Sequence, residues 1–246
     1  MKNKYSLAGI ILCFFLINGI AISQEINSIK ICTPEWEYYT QKDGKGLYNE
    51  LWKEVFLSAN IELNIRYVPF IRCEKTVKRM KNQYDVYAAG YPSDDVIVPK
   101  WHIGIDLITV VYNKGFISKW EGQKSLENKI VSWERGFDFD KNGIVKVAVK
   151  KHEFSKLESA LKMLIVKRID FVLDYNLAIK KKITELNISD KVEIVIDAIK
   201  GYKYYMIFSQ TEKGEKLSKI WDEAMKKLDK SGKLHQMYRN YEDPAY

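Results

Sequence analysis

The chain is poor in histidine and cysteine, with three of each among its 246 residues. The three histidines lie far apart, and none stands in a nucleophile-elbow or metal-ligand motif. We interpret His152 and His235 as surface residues of polar helical stretches. A glycine-rich phosphate loop is also missing. We therefore expect no metal, no cofactor and no catalytic residue, because hydrolytic triads and zinc sites need clustered ligands or nucleophile–base pairs.

Long hydrophobic runs are missing after residue 23, so no later segment is apolar enough to cross a bilayer. Residues 1–23 have a basic start, an apolar run at 7–17 and small residues at Ala21 and Ser23. This pattern predicts a secretory signal peptide that is cut before Gln24. The alternative is an uncleaved membrane anchor, but the run is shorter than the roughly 20 residues that a span needs. We expect a soluble protein exported to the periplasm.

Clusters of one charge sign are also scarce. The formal net charge is +8, and the predicted signal peptide holds two lysines and no acid, which leaves +6 on the mature chain. The longest basic run is 180–182, on a predicted helix, and we interpret it as a solvated face. A nucleic-acid groove would interleave basic and aromatic residues on one surface, so we expect no nucleic-acid partner.

Two cysteines remain after removal of the signal peptide. Cys32 lies at the end of the first predicted strand, and Cys73 lies just after the second. If these strands are neighbours, the two thiols can pair in an oxidising compartment. The sequence leaves that pairing open.

Helical and strand patterns alternate along the whole chain. Strands are predicted at 28–33, 61–70, 84–90, 106–115, 130–136, 170–174, 192–198 and 201–210. Helices are predicted at 47–60, 71–82, 125–129, 155–169 and 175–186, with a final helix pair across 212–241. Such alternation predicts an α/β fold with parallel strands covered by helices. Two of the strands, near residues 110 and 204, would join two small α/β units.

The order of several segments resembles a known family. The aromatic loop "PEWEYY", the segment "MKNQYDVYAAG", the strand "KRIDFVLDYNLAIKKK" and the C-terminal helix pair are similar to the extracytoplasmic solute-binding proteins of ATP-binding-cassette (ABC) importers, of the polar-amino-acid type (family 3). The resemblance spans about residues 28–242. It implies a two-lobed type II periplasmic-binding-protein fold, in which each lobe is a mainly parallel sheet flanked by helices and two crossover strands join the lobes. One lobe would hold 24–111 and 205–246, and the other 112–204.

The resemblance implies a ligand contact at Asp174, which would meet an ammonium group from the end of a buried strand. The alternative role is a cap of the following helix, and the two roles are compatible.

The carboxylate grip of the family is missing or rebuilt in this chain. Where the family carries an arginine, the stretch "GYPSDDVIVPKW" places Val96 or Ile97. Arg72 and Arg135 are the candidates to replace it, since a planar guanidinium matches a carboxylate. Each has an alternative as a surface residue. Arg135 precedes Gly136, which we place in the cleft with it.

Aromatic and small residues complete the expected binding site. Trp36 and Tyr39 lie on the first loop, where a ligand can stack or make a cation–π contact. Their alternative role is packing within the loop. Gly90, Tyr91 and Ser93 follow the third strand, where the family places ligand-binding groups.

The resemblance implies a monomeric binder that captures a small polar solute by hinge closure and delivers it to the membrane subunits of an ABC importer. It implies no enzymatic activity. Two alternatives stay open. One is a periplasmic enzyme on the same fold, similar to cyclohexadienyl dehydratases, and the other is a ligand-sensing partner of a membrane receptor.

Overall fold

The computed structural model describes residues 25–79 and 83–246. The predicted signal peptide therefore lies outside the described residues. The strands are β1 (Ser28–Thr33), β2 (Glu62–Tyr67), β3 (Val86–Gly90), β4 (Val96–Ile97), β5 (His102–Asn113), β6 (Ile130–Glu134), β7 (Lys150–Phe154), β8 (Phe171–Tyr175) and β9 (Val192–Ser209). The α-helices are α1 (Leu47–Phe56), α2 (Phe70–Arg79), α3 (Leu157–Ile165), α4 (Asn176–Glu185), α5 (Glu212–Lys230) and α6 (Lys233–Asn240). In this part of the chain, no helix has both the length and the apolar character needed to span a membrane.

All described strands join one mixed sheet, in the order β2-β1-β3-β9-β5-β8-β6-β7, with β4 paired to β9. β1, β2 and β3 run parallel at one end, and β6, β7 and β8 run parallel at the other. The long strands β5 and β9 lie antiparallel in the middle and connect the two parallel groups. The alternation predicted from the sequence holds fully in the first group, which runs β1-α1-β2-α2-β3. In the second group α3 joins β7 to β8, but the described residues between β6 and β7 form no helix.

Several elements differ from the sequence prediction. The predicted strands 192–198 and 201–210 are one strand, β9, which continues through Gly201. β4 and β7 were not predicted, and the predicted helix at 125–129 is a short 3₁₀ turn over Lys124–Leu126. His152 lies on β7 and not on a helix; its Nδ1 is 2.9 Å from Ser132 Oγ.

Three large apolar cores flank the sheet: one lies at the β1–β3 end, and two lie at the β6–β8 end, the third of them beneath α3 and α4. The first packs α1 and α5 against β1, β3 and β9 around Trp52 and Trp221, both fully buried. Amphipathic spacing places Leu47, Leu51 and Val55 on the buried face of α1. The second core contains Trp133, which is fully buried as expected for a tryptophan inside a strand.

A disulfide joins Cys32 on β1 to Cys73 on α2. Since the neighbour of β1 is β2, and α2 follows β2 directly, the two thiols meet at one side of the sheet. The sequence left this pairing open, and the structure contains it. Both cysteines are fully buried beside Tyr87 and Ile207.

Candidate functional site

Two groups of three parallel strands end at one cavity. Trp36 follows β1, Phe70 follows β2, and Tyr91 follows β3. On the opposite wall, Glu134 ends β6 and Asp174 lies at the end of β8. β7 also ends here, because Ser155 directly follows it. In open α/β sheets, ligands bind outside the carboxyl ends of the strands, so this convergence marks the cavity as the candidate site.

The cavity has a volume of about 680 Å³, enough for a small metabolite. Aromatic side chains are the largest group in its lining, with charged side chains between them. The aromatic lining residues are Trp36, Tyr39, Tyr48, Phe70, Tyr91, Phe137, Phe139, Tyr175 and Tyr204. The charged lining residues are Glu35, Glu37, Glu134, Lys156, Glu158, Asp174 and Lys182.

Glu134 and Asp174 are the electrostatic centre of the cavity. Burial, together with the nearby charge of Asp174, raises the pKa of Glu134 to about 8, although a hydrogen bond donated by Trp36 Nε1 opposes the shift. Burial raises the pKa of Asp174 to about 7, against the Tyr175 backbone N–H, which donates to Oδ1 at 2.7 Å. Each carboxylate would be stabilised by a cation, because burial without an opposite charge disfavours the ionised form.

A third buried carboxylate holds two of the cavity tyrosines in place. Asp106 on β5 accepts hydrogen bonds from the hydroxyls of Tyr91 and Tyr175, both at 2.7 Å. The backbone N–H of Tyr202 donates to the same carboxylate at 3.2 Å. Burial raises the pKa of Asp106, although all three donors oppose the shift. Asp106 therefore positions the two aromatic rings from behind and does not line the cavity itself.

Close approach of β5 and β9 shapes the floor of the cavity. A Cβ on Gly104 would lie only 2.1 Å from the Tyr204 ring. The missing side chain at Gly104 thus lets Tyr204 lie across β5 toward the cavity, where its hydroxyl lies 3.0 Å from that of Tyr48. Ala89 also lines the cavity and has a φ of 61° at a bulge of β3. Left-handed backbone at a non-glycine residue is costly and is concentrated at functional sites.

The two walls touch at the mouth of the cavity. The Trp36 indole N–H donates to Glu134 Oε1 at 3.4 Å, and Lys182 Nζ lies 3.0 Å from Glu37. Burial alone would lower the pKa of Lys182, but hydrogen bonds to Glu185 and Glu37 outweigh it and raise that pKa. The Tyr38 hydroxyl donates to Glu185 at 3.1 Å. These contacts join the loop between β1 and α1 to β6 and α4, which belong to the opposite end of the sheet.

Four of the nine residues that the sequence assigned to the site line this cavity. They are Trp36, Tyr39, Tyr91 and Asp174.

The other five lie outside the lining. Arg72 is exposed on α2, and Arg135 is exposed beyond β6. Ser93 donates to Asp95 at 2.6 Å. Gly90 is buried where a Cβ would lie 2.5 Å from Tyr87 and Ile207, so it serves packing. Gly136, with a φ of 96°, permits the turn after β6 and packs beside Phe70.

Neither Arg72 nor Arg135 lines the cavity, so neither is placed to bind a ligand carboxylate there. Among the described residues that line the cavity, none is an arginine. Asp174 does not cap α4 through its side chain either, because its described hydrogen bond goes to the adjacent Tyr175 N–H.

Sequence reasoning missed Glu134, Phe137, Tyr175 and Tyr204. Glu134 carried a usable signal, since it ends a buried strand with a carboxylate as Asp174 does. Tyr204 carried none, because only the packing of β9 on β5 turns it toward the cavity.

The described residues contain no group of three or more side chains that could together bind a metal ion.

Comparisons with known proteins locate the fold. No family model and no curated protein matches the sequence. Solved structures do match. An ancestral arginine-binding protein bound to glutamine has a TM-score of 0.71 and 18% identity, over 88% of this chain and 98% of that one. A substrate-binding protein of an ABC uptake transporter from Streptococcus pneumoniae, with bound histidine, has a TM-score of 0.67 and 22% identity, over 87% and 92%.

A histidine kinase sensor domain with similarity to periplasmic binding proteins also matches, with a TM-score of 0.70 and 15% identity over 88% of this chain and 96% of that domain. At such identities the comparisons establish the fold alone. The resemblance inferred from the sequence is confirmed at that level: the chain has the two-lobed type II fold of periplasmic binding proteins.

Proposed function

We propose that the chain is an extracytoplasmic solute-binding protein of the polar-amino-acid type. It captures a small polar solute, an amino acid or a related nitrogen compound, and delivers it to an ABC importer. One observation carries the proposal: two groups of three parallel strands end at a single aromatic cavity that holds two buried carboxylates, Glu134 and Asp174. The solved amino-acid-binding proteins of the same fold support it.

Capture proceeds by hinge closure in this proposal. The lobes are 24–111 with 205–246, and 112–204, and β5 and β9 are the hinge strands because they alone run between the two parallel groups in the described sheet. The pairing of Lys182 with Glu37 closes the mouth over the solute. A difference of a few kcal/mol in affinity between the open and closed forms is enough to shift their balance.

Within the closed cavity, Asp174 and Glu134 accept charge-assisted hydrogen bonds from the solute's nitrogen group. Trp36, Phe137 and Tyr175 supply ring faces for stacking and for cation–π contact. Exclusion of water strengthens each of these contacts.

Export to the periplasm follows from the signal peptide predicted at 1–23. The Cys32–Cys73 disulfide supports it, because such bonds persist mainly in oxidising compartments. We propose a monomer whose partners are the solute and the membrane subunits of the importer.

The test is calorimetry on protein that has been unfolded and refolded to remove co-purified solute. A thermal-shift screen of amino acids, amines and related compounds first identifies a ligand. Asp174→Asn should then weaken its binding at least tenfold, about 1.4 kcal/mol. Asp190→Asn makes the same chemical change at an exposed position and should leave affinity unchanged. Equal affinity of the wild type and Asp174→Asn would refute the assigned site.

The histidine kinase sensor domain of the same fold favours one second candidate, a soluble ligand-sensing partner of a membrane receptor. Ligand binding alone does not separate it from a transport role. Uptake of the labelled ligand by cells with and without the protein does, because only a transport component changes the uptake rate. The recovered ligand also tests for enzymatic turnover, since a binder returns it unchanged.

A further inference from the structure

We propose that this cavity selects organic cations that carry no carboxylate, such as diamines or decarboxylated basic amino acids, over the amino acids themselves. The inference rests on the proposed function and narrows its ligand class. Three features of the cavity favour such ligands: its unpaired acidic side chains, the direction of its hydrogen bonds, and the position of its lysines.

The cavity interior holds two buried acidic side chains that lack an opposite charge. Glu134 has one described hydrogen bond, from Trp36 Nε1 at 3.4 Å. Asp174 has one, from the Tyr175 backbone. Among the ion pairs of the described residues, none involves either side chain, and Lys182 of the lining pairs with Glu37 and Glu185 instead. A ligand carboxylate placed between the two acidic side chains would add a third acidic group to a buried site without a cation, which is strongly unfavourable.

Most hydrogen-bond donors on the aromatic walls are already engaged. Tyr39 donates to Asp243 at 3.1 Å, and Tyr91 and Tyr175 both donate to Asp106 at 2.7 Å. The hydroxyls of Tyr48 and Tyr204 share one hydrogen bond, which leaves one proton of this pair free. A solute in the cavity therefore meets mainly carboxylate acceptors and ring faces. Such a surface matches a ligand with several N–H donors and no acceptor charge.

Neither lysine of the lining forms a described ion pair with Glu134 or Asp174. Lys182 is occupied by Glu37 and Glu185, at 3.0 and 2.6 Å. Lys156 is exposed at the start of α3. The N-termini of α3 and α4 both border the lining, and a helix N-terminus stabilises an anion. Glu158 in the first turn of α3 and Asp174 just before α4 oppose an anion at each. A carboxylate-bearing solute thus finds neither an unopposed helix N-terminus nor an arginine in the described lining.

Matched ligand pairs test the inference on the wild-type protein. Calorimetry compares agmatine with arginine, putrescine with ornithine, and cadaverine with lysine, at pH 8 and low salt. The members of each pair share their distal cation and differ in the α-carboxylate. At least one decarboxylated member should bind at least tenfold tighter than its amino acid.

A variant pair gives a second readout. Glu134→Gln should weaken binding of the preferred cation at least tenfold and narrow its preference over the amino acid. Glu127→Gln, an exposed control, should change neither quantity. Thermal unfolding of both variants confirms that they are folded.

Two outcomes would overturn the inference and differ in what they mean for solute capture. If, in every pair that binds, the amino acid binds as tightly as its decarboxylated partner or tighter, the carboxylate is tolerated and only the ligand class is wrong. If none of the six compounds binds while another small solute does, the cation preference is wrong and solute capture stands. Failure of every compound in the broader thermal-shift screen would count against solute capture itself.

Discussion

Ionisation of the buried Asp174 carboxyl group should destabilise the ligand-free protein. Its pKa is raised from the ordinary value of 3.8 to about 7, mainly by burial. A tenfold change in proton affinity is worth about 1.4 kcal/mol, so a shift of this size corresponds to about 4 kcal/mol. The folded protein holds this proton more tightly than the unfolded chain. The cost is therefore absent below about pH 4 and grows as the pH rises to about 7.

Asp174→Asn removes the ionisation and should stabilise the ligand-free protein above pH 7. We expect a gain of about 1–3 kcal/mol, less than the full cost, because a buried amide without complete hydrogen bonding keeps a penalty of its own. For a chain of this size each kcal/mol raises the melting temperature by about 2–4 °C. The stabilising change is the same one that should weaken ligand binding, as expected where function and stability conflict.

Urea unfolding of ligand-free protein at pH 5 and pH 8 measures the effect. The wild type should lose stability between the two values, and Asp174→Asn should lose less. Asp190→Asn, which is exposed, should follow the wild type at both values. A lower free energy of unfolding for Asp174→Asn than for the wild type at pH 8, or the same change in that free energy between pH 5 and pH 8 for both proteins, would refute the destabilising role of Asp174.

Three further outcomes follow from the structure. The affinity for a cationic ligand should rise between pH 6 and pH 9, because the cavity carboxylates have pKa values near 7 and 8 and bind a cation best when ionised; calorimetry showing a flat or falling profile would contradict this. Replacing Cys32 and Cys73 by serine should cost ~4 kcal/mol, from the 41-residue separation that the bond closes, with an unchanged urea midpoint as the contrary result. Gly104→Ala should destabilise the fold by ~1–3 kcal/mol, because its Cβ would overlap the Tyr204 ring; a neutral melting temperature would show that the floor can adjust.

Local pattern predicted most of the fold. Strands such as β1 and β8 have apolar residues bounded by turn or helix signals, and their positions were found almost to the residue. β7 was missed because Lys150–Phe154 is a polar strand at the end of the sheet, with four of its five side chains not fully buried. β9 was divided in two because Gly201 suggested a break, whereas glycine there allows close contact with Asp106 on β5.

The site was predicted where one residue carries a recognisable role. Asp174 ends a buried strand, and strand ends meet the cleft in this kind of sheet. Arg135 was favoured over its neighbour Glu134 because the resemblance implies a cation that binds the ligand carboxylate. The alternation of side chains along β6 points to Glu134 instead. Residues on a strand point to opposite faces, so the buried Trp133 leaves Glu134 for the other side. The tyrosine network around Asp106 joins residues up to 96 positions apart and had no local signal.

The most direct test of solute capture is mass spectrometry of the small molecules released when the purified protein is denatured. The wild type should release a nitrogen-containing cation in near-stoichiometric amount, and a variant with both Glu134→Gln and Asp174→Asn should release little of it. Release of an anionic solute by the wild type, or of the same molecule in equal amount by the double variant, would contradict the role assigned to the two carboxylates.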